Sequence, residues 1–288
     1  MLVSVVIPLY NGHDVIIECL ESVIASETEH NLEVIVVDDC SRDDSLELVS
    51  KKGHDLHLLG NDGNYGYAYT VNRGIMASHG DAILLLNQDT ELDNDSIQRL
   101  ASKLFEDDRT GIVAPKLLNP DGTLQKSVRR FPKHSDIIYH HLGLSYLLEN
   151  SAKFNRWKMP DFDHLDECYV DQPAFSAVMI KRSVINRIGL LDTAFPLFFN
   201  DVDYCKRTVD AGWKILFDPE AEVKHQRGQA TFQRKVLSIY LSHQAFIKYL
   251  NKYFKRARYI LPNFFCTFLL LCSAHIRALY HLLKRIMQ

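Results

Sequence analysis

Leu84-Leu85-Leu86-Asn87-Gln88-Asp89-Thr90-Glu91-Leu92 is the stretch from which the fold of this 288-residue chain is read. Three leucines follow Ala82-Ile83, so a short apolar run stops abruptly at two amides and an acid. Such a run predicts a strand buried on both faces, residues 82–86. Its polar end then emerges at the carboxyl edge of a sheet, where open α/β folds bind ligands. A carboxylate there suits an oxygen-ligand cation, Mg²⁺ or Mn²⁺, carrying a substrate diphosphate. The plainer alternative is a strand followed by an Asp-capped loop, with Asp93 or Asp95 opening the next helix.

Working outward, similar signals recur. Residues 3–7 predict a buried strand ended by Pro8 and the turn Asn11-Gly12, then a helix opening at His13-Asp14 with apolar pairs at 3.6-residue spacing. Residues 32–37 predict a second strand ending in Asp38-Asp39, followed by a helix and a short strand at 56–59. A Gly-rich loop, GNDGNYG, runs into a helix; after the central strand come a helix at 95–107 and a strand at 112–118. Strand and helix alternate with short connections, which predicts an α/β, doubly wound, mostly parallel Rossmann-like sheet. Gly60, Gly63 and Gly66 lack the G-x-G-x-x-G spacing, which disfavours a dinucleotide fold.

Beyond Leu118 the pattern changes. Asn119-Pro120-Asp121-Gly122 predicts a hairpin tip, residues 136–148 a helix, 151–167 an irregular loop, 170–180 a strand interrupted by Pro173, and 183–188 a short helix. Asp201 and Asp203 then follow a run of aromatic and apolar residues. Burial raises a carboxylate's pKa, and a positioned Asp can then accept a proton. Cys205, Val209 and Trp213 recur every four residues, so Asp201 sits at a helix N-terminus, where it could equally be a cap. His225 ends the apparent strand 221–223, an imidazole near the Asp89 edge or a structural histidine.

Charge is distributed unevenly. The formal net charge is −3, but no Asp or Glu follows Glu222. Twelve of the 33 bases lie in that last stretch, leaving 21 against 36 acids and a formal −15 before it. A basic tail on an acidic body faces something anionic. No nucleic-acid motif accompanies it, so a membrane surface is the expected partner. Residues 232–254 predict an amphipathic helix. The apolar run 260–272, with Pro262, Asn263 and Thr267 inside it, is shorter than the roughly twenty residues a span needs, which predicts a surface helix. The alternative packs this helix on the catalytic domain or a second subunit, as in a homodimer. Six cysteines lack metal spacing and the N-terminus lacks a signal peptide, so the expected location is the cytoplasm, peripheral on the inner face of the plasma membrane.

Six ordered blocks, SVVIPLYNG, VVDDCSRDDS, GNYGYAYTVNRGI, LLLNQDTEL, IGLLDTAFPLFFNDVDYCKR and AGWKILFDPEAEVKH, resemble family 2 glycosyltransferases of GT-A fold, over about Val3 to Thr231. The NQD block with PKLLNPDG is most similar to the rhamnosyltransferase-like branch acting on bacterial surface polysaccharides. The resemblance implies a catalytic domain over 1–231, a basic tail over 232–288, and inverting transfer from a nucleoside-diphosphate sugar to a glycan or lipid-linked acceptor. It implies that Pro8, Tyr10, Asp38 and Asp39 hold base and ribose, and that Gly66 and Asn72 shape the donor pocket. Asn87 and Gln88 join the nucleotide-sugar set, Asp89 and His225 hold the divalent metal, and Asp201 is the general base. Two departures stand out: Asn200 where the family usually has Glu, and Phe175 where it usually has Gly. They motivate the alternative of a non-catalytic relative that binds sugar nucleotide or glycan within an assembly.

Overall fold

The computed structural model describes residues 1–52, 56–226 and 235–286. The expected boundary at 231/232 and the start of the expected 232–254 helix lie outside these residues. By its contacts the chain divides into two units. The first comprises Met1–Val128, His164–Pro196 and the chain from Asn200 through the last strand; the second comprises Arg129–Asp163, Leu197–Phe199 and the C-terminal helices.

The first unit is a sheet between helices. In chain order it contains β1 (Leu2–Leu9), α1 (Ile16–Ile24), β2 (Asn31–Asp38), α2 (Ser45–Lys51), β3 (Leu56–Gly60), α3 (Tyr67–Ala77), β4 (Ala82–Leu86), β5 (Thr90–Leu92), α4 (Ser96–Glu106), β6 (Thr110–Leu118) and β7 (Leu124–Gln125). After β8 (Val128–Arg129) and the excursion into the second unit come β9 (Cys168–Tyr169), β10 (Gln172–Pro173), β11 (Ala177–Lys181), α7 (Arg182–Ile188), α8 (Asn200–Asp210) and β12 (Lys214–His225). The main strand order is β3-β2-β1-β4-β11-β6-β12-β5. β1 pairs in parallel with β2 and β4, β2 with β3, and β6 with β12. β11 is antiparallel to β4 and β6, and β5 to β12.

Every residue of β4 is buried, as its unbroken apolar run requires. Val3, Val5, Ile7 and Leu9 alternate onto one face against Ile16, Cys19, Leu20 and Val23 of α1. On the other face α3 lies so close that a Cβ on Gly74 would stand 2.3 Å from Val6 Cγ1. Pro8 does not end the first strand. β4 pairs only as far as Val6, so the missing N–H of Pro8 costs no bond on that side, and β1 runs on to Leu9 beside β2.

The second unit is helical: α5 (His134–His141), α6 (Leu144–Leu147), α9 (Lys235–Tyr253) and α10 (Ile260–Ile286), with short 3₁₀ turns at Arg156–Lys158 and Ala257–Tyr259. The single helix expected over 136–148 is broken at Gly143, whose φ is +76°. α10 is one continuous helix, not a thirteen-residue segment, because Pro262 occupies its first turn, where no N–H is needed. By length and composition it could cross a membrane, which removes the length argument against a span. Cys266, Leu270, Ala274 and Ala278 form its buried stripe, while Leu261, Phe264, Phe268 and Ile276 are exposed. His134 ties α5 to α10 through Nε2 and Asn263 Oδ1, 2.7 Å apart.

Candidate active site

Antiparallel pairing of β5 with β12 sets Thr90 opposite His225, and Gln226 N–H donates to Asp89 O at 2.8 Å. These contacts bring His225 Nε2 to 3.4 Å from Asp89 Oδ1, both side chains about nine-tenths buried. The other ring nitrogen, Nδ1, lies 2.7 Å from Gln125 Oε1. The Gln125 amide is oriented by its own donation, Nε2–H to His225 O and to Asn119 Oδ1. Its oxygen therefore takes the Nδ1 proton, and Nε2 turns a lone pair towards the carboxylate. Two acceptors facing each other call for a cation between them, a proton or a metal.

A divalent metal fits this pair. The ring is fixed from behind by an amide, as metal-ligating histidines are. Asn87 Oδ1, two residues before Asp89, is buried with no partner, an oxygen open to a metal-bound water. Among the described residues, no group of three or more His, Cys, Asp or Glu could hold a metal.

Asp201 stands at the first turn of α8. Its Oδ1 accepts the N–H of Val202 at 2.8 Å, and its Oδ2 accepts Gln172 Nε2–H at 2.9 Å. It shares an edge with Asp89. Asn87 N–H donates to Ser176 O, and Tyr67 Oη–H donates to Phe175 O at 2.9 Å, so the strand end before Asp89, α3 and the 172–176 segment are stitched together. Burial pushes the Tyr67 phenol well up, and the charges of Asp201 and Asp89 push it further, so one hydroxyl senses both acids. The next acid, Asp203, is committed elsewhere: fully buried, it takes Arg207 Nε at 2.9 Å, and Arg207 donates to Ile188 O and Leu190 O.

Of the other expected site residues, Asp38, Asp39 and Gln88 lie at strand ends and Gly66 and Asn72 at the cap and within α3, several with their polar atoms already engaged. Asp39 Oδ1 accepts Asn61 Nδ2 and Tyr65 N–H, and its Oδ2 accepts Gly66 N–H at 2.8 Å. It thus shapes the Gly-rich loop, where Gly66 has φ +86° and a Cβ would meet Pro196 O at 3.0 Å. Asp38 accepts Ser41 N–H in the turn after β2. Gln88 clasps Tyr10, accepting its N–H at 2.7 Å and donating to its carbonyl at 3.1 Å. Asn72 makes the same two-way clasp with Leu191. Both amides are spent on backbone. Pro8, beside Val37, carries the chain to Tyr10. Phe175 is 5% exposed, with its ring against Tyr204. Its bulk fills core.

Gln125, Gln172 and Tyr67 carry the arrangement yet gave no signal in the chain. Gln125 meets His225 across 100 residues and Gln172 meets Asp201 across 29. No local pattern encodes such pairs.

The fold is that of GT-A glycosyltransferases. A mannosyltransferase from Pyrobaculum calidifontis, in complex with GDP-Man and Mn²⁺, superposes with a TM-score of 0.60 at 16% identity, over 96% of this chain and 75% of that one. S. aureus TarS 1-349 gives 0.55 at 17%, over 90% and 74%. Residues 4–168 match the model described as Glycosyl transferase family 2, and the chain belongs to that family. It is similar to an N-acetylglucosaminyl-diphospho-decaprenol L-rhamnosyltransferase of Mycobacterium tuberculosis, 27% identical over 74% of this chain and 73% of the relative. A low-salt glycan biosynthesis hexosyltransferase, Agl10, of Haloferax volcanii is 28% identical over 61% of this chain and 52% of its own.

Proposed function

We propose that this glycosyltransferase moves a sugar, hexosyl or deoxyhexosyl, from a nucleoside diphosphate to a hydroxyl of a lipid-linked glycan, with inversion, in the synthesis of a bacterial surface polysaccharide. The observation that carries this reading is the pairing of two acid stations on one edge, Asp89 with His225 and Asp201 with Gln172. The named activity of the mycobacterial relative supports the acceptor class.

Asp89 and His225 would hold a divalent cation, Mg²⁺ or Mn²⁺, with Asn87 facing its water. Bound there, such an ion neutralises charge on a leaving diphosphate. Pro8, Tyr10, Asp38 and Asp39 shape the nucleoside end, and Gly66, Asn72 and Gln88 fix the loop and strand tip around the sugar. Asp201 accepts the acceptor's hydroxyl proton as its oxygen attacks the anomeric carbon and the bond from that carbon to the diphosphate breaks. One displacement inverts the centre, and no enzyme nucleophile is required.

The catalytic portion is residues 1–231, and the tail 232–288 meets an anionic membrane at the cytoplasmic face. Phe264 is 75% exposed on a helix that carries no acid. Contiguous exposed apolar surface of this kind marks an interaction site. One stripe of α10 is covered by protein, so the helix lies in the headgroup region rather than ringed by lipid. Flotation with phosphatidylglycerol vesicles should carry the wild type up and leave Phe264→Glu/Phe268→Glu at the bottom. A soluble dimer that ignores vesicles would assign the face to a second copy.

Release of nucleoside diphosphate from dTDP-, UDP- and GDP-sugars, with and without Mn²⁺, tests the reaction. Metal-dependent turnover should fall at least about a hundredfold in Asp89→Ala and Asp201→Asn. Donor binding without turnover on a broad acceptor panel would favour a non-catalytic sugar-nucleotide-binding role.

A further inference from the structure

We infer that Gln172 is the positioning residue of Asp201, holding the carboxylate's plane and its ionised state for the acceptor hydroxyl. This rests on the reading of Asp201 as the base.

Gln172 is 3% exposed. Its Nε2 donates to Asp201 Oδ2 at 2.9 Å and lies 3.1 Å from Pro173 O. Its Oε1 is buried without a partner. Leaving a buried carbonyl unpaired is costly. Reversing the amide would set that oxygen against the carboxylate, two acceptors in contact, so the observed orientation is the one an ionised Asp201 selects. Gln172 also sits on rigid backbone. Val170 N–H donates to Ile215 O and Ala174 N–H to Ser127 O, both at 2.9 Å, on either side of it. Two donors from different elements, Gln172 on β10 and Val202 N–H on α8, therefore clamp opposite oxygens of Asp201.

Groups whose charge couples to Asp201 include Tyr67 and Cys205. Tyr67 on α3 senses Asp201, and Cys205 on α8 senses Asp201, Asp171 and Asp203, all behind the dominant effect of burial. Asp203 on α8 is paired with Arg207. Among these, Gln172 supplies a neutral side-chain hydrogen bond to Asp201, and losing it makes the carboxylate easier to protonate.

The test is the pH profile of kcat for Gln172→Met, near in shape but without donors, and for Gln172→Glu, measured on the full chain with the sugar nucleotide the wild type turns over. Gln172→Met should lose about 10–100-fold in kcat while KM for the donor stays within about threefold, as for partners that orient a reacting group. Its acid limb should move up by about one pH unit, and that of Gln172→Glu further, since a second carboxylate opposes ionisation. A merely structural role would lower melting temperature and leave the limb in place. An unmoved limb in both variants overturns the inference even if Asp201→Asn is inactive. Full activity in Asp201→Asn overturns the reading beneath it.

Discussion

His225 Nε2 and Asp89 Oδ1 face each other at 3.4 Å, with the imidazole's other nitrogen on Gln125 Oε1. If this pair holds the metal, Gln125 sets which nitrogen carries the lone pair. Gln125→Met should then weaken Mn²⁺ binding about 10–100-fold, with the two ligands untouched. Calorimetric titration of Mn²⁺ in the presence of UDP reads this; unchanged affinity would leave Gln125 a packing residue only.

Gly74 permits α3 to rest on Val6. Ala there would gain helix propensity of about 1 kcal/mol, but its Cβ would lie 2.3 Å from Val6 Cγ1 and 3.2 Å from Val37 Cγ2. Overpacking of about 1–3 kcal/mol should prevail, because both neighbours sit on buried strands. Gly74→Ala should melt below the wild type; an equal or higher melting temperature would show that the helix can lift off.

The unbroken apolar run of β4 and the largely apolar runs of β1, β2 and β6 announce buried strands, and their alternation with helices implies the parallel sheet. The antiparallel insertion of β11 between β4 and β6 has no local signature, since its apolar residues suit either direction. Asp89 and Asp201 are visible as acids closing apolar stretches. Their supports, Gln125 and Gln172, are amides in two-residue strands, where period-2 patterning has nothing to act on. The length of α10 was hidden by Pro262 and Asn263, which read as breaks but fall in a first turn, where Asn263 Nδ2 donates to Phe254 O.

The second unit should loosen in acid. Burial, reinforced by His141, Lys158, Arg277 and His243, pushes the His140 imidazole down to about 4 from 6.5. The folded state therefore binds its proton less readily than the unfolded chain. Its contribution is fully present above pH 6.5 and is lost as pH falls towards about 4. His140→Gln should flatten part of the fall in melting temperature across that window, measured by scanning fluorimetry. An identical slope would place the acid sensitivity elsewhere, with His243, likewise held down by burial, the next to test.

In the proposed reaction one cleft would set a metal-borne diphosphate at Asp89 and a proton acceptor at Asp201 on opposite sides of a sugar. A crystal structure with Mn²⁺ and an intact nucleoside-diphosphate sugar tests it directly through the manganese anomalous signal. The peak is expected at Asp89 and His225, with the anomeric carbon between it and the Asp201 carboxylate. A peak elsewhere, or an anomeric carbon turned away from Asp201, would contradict it.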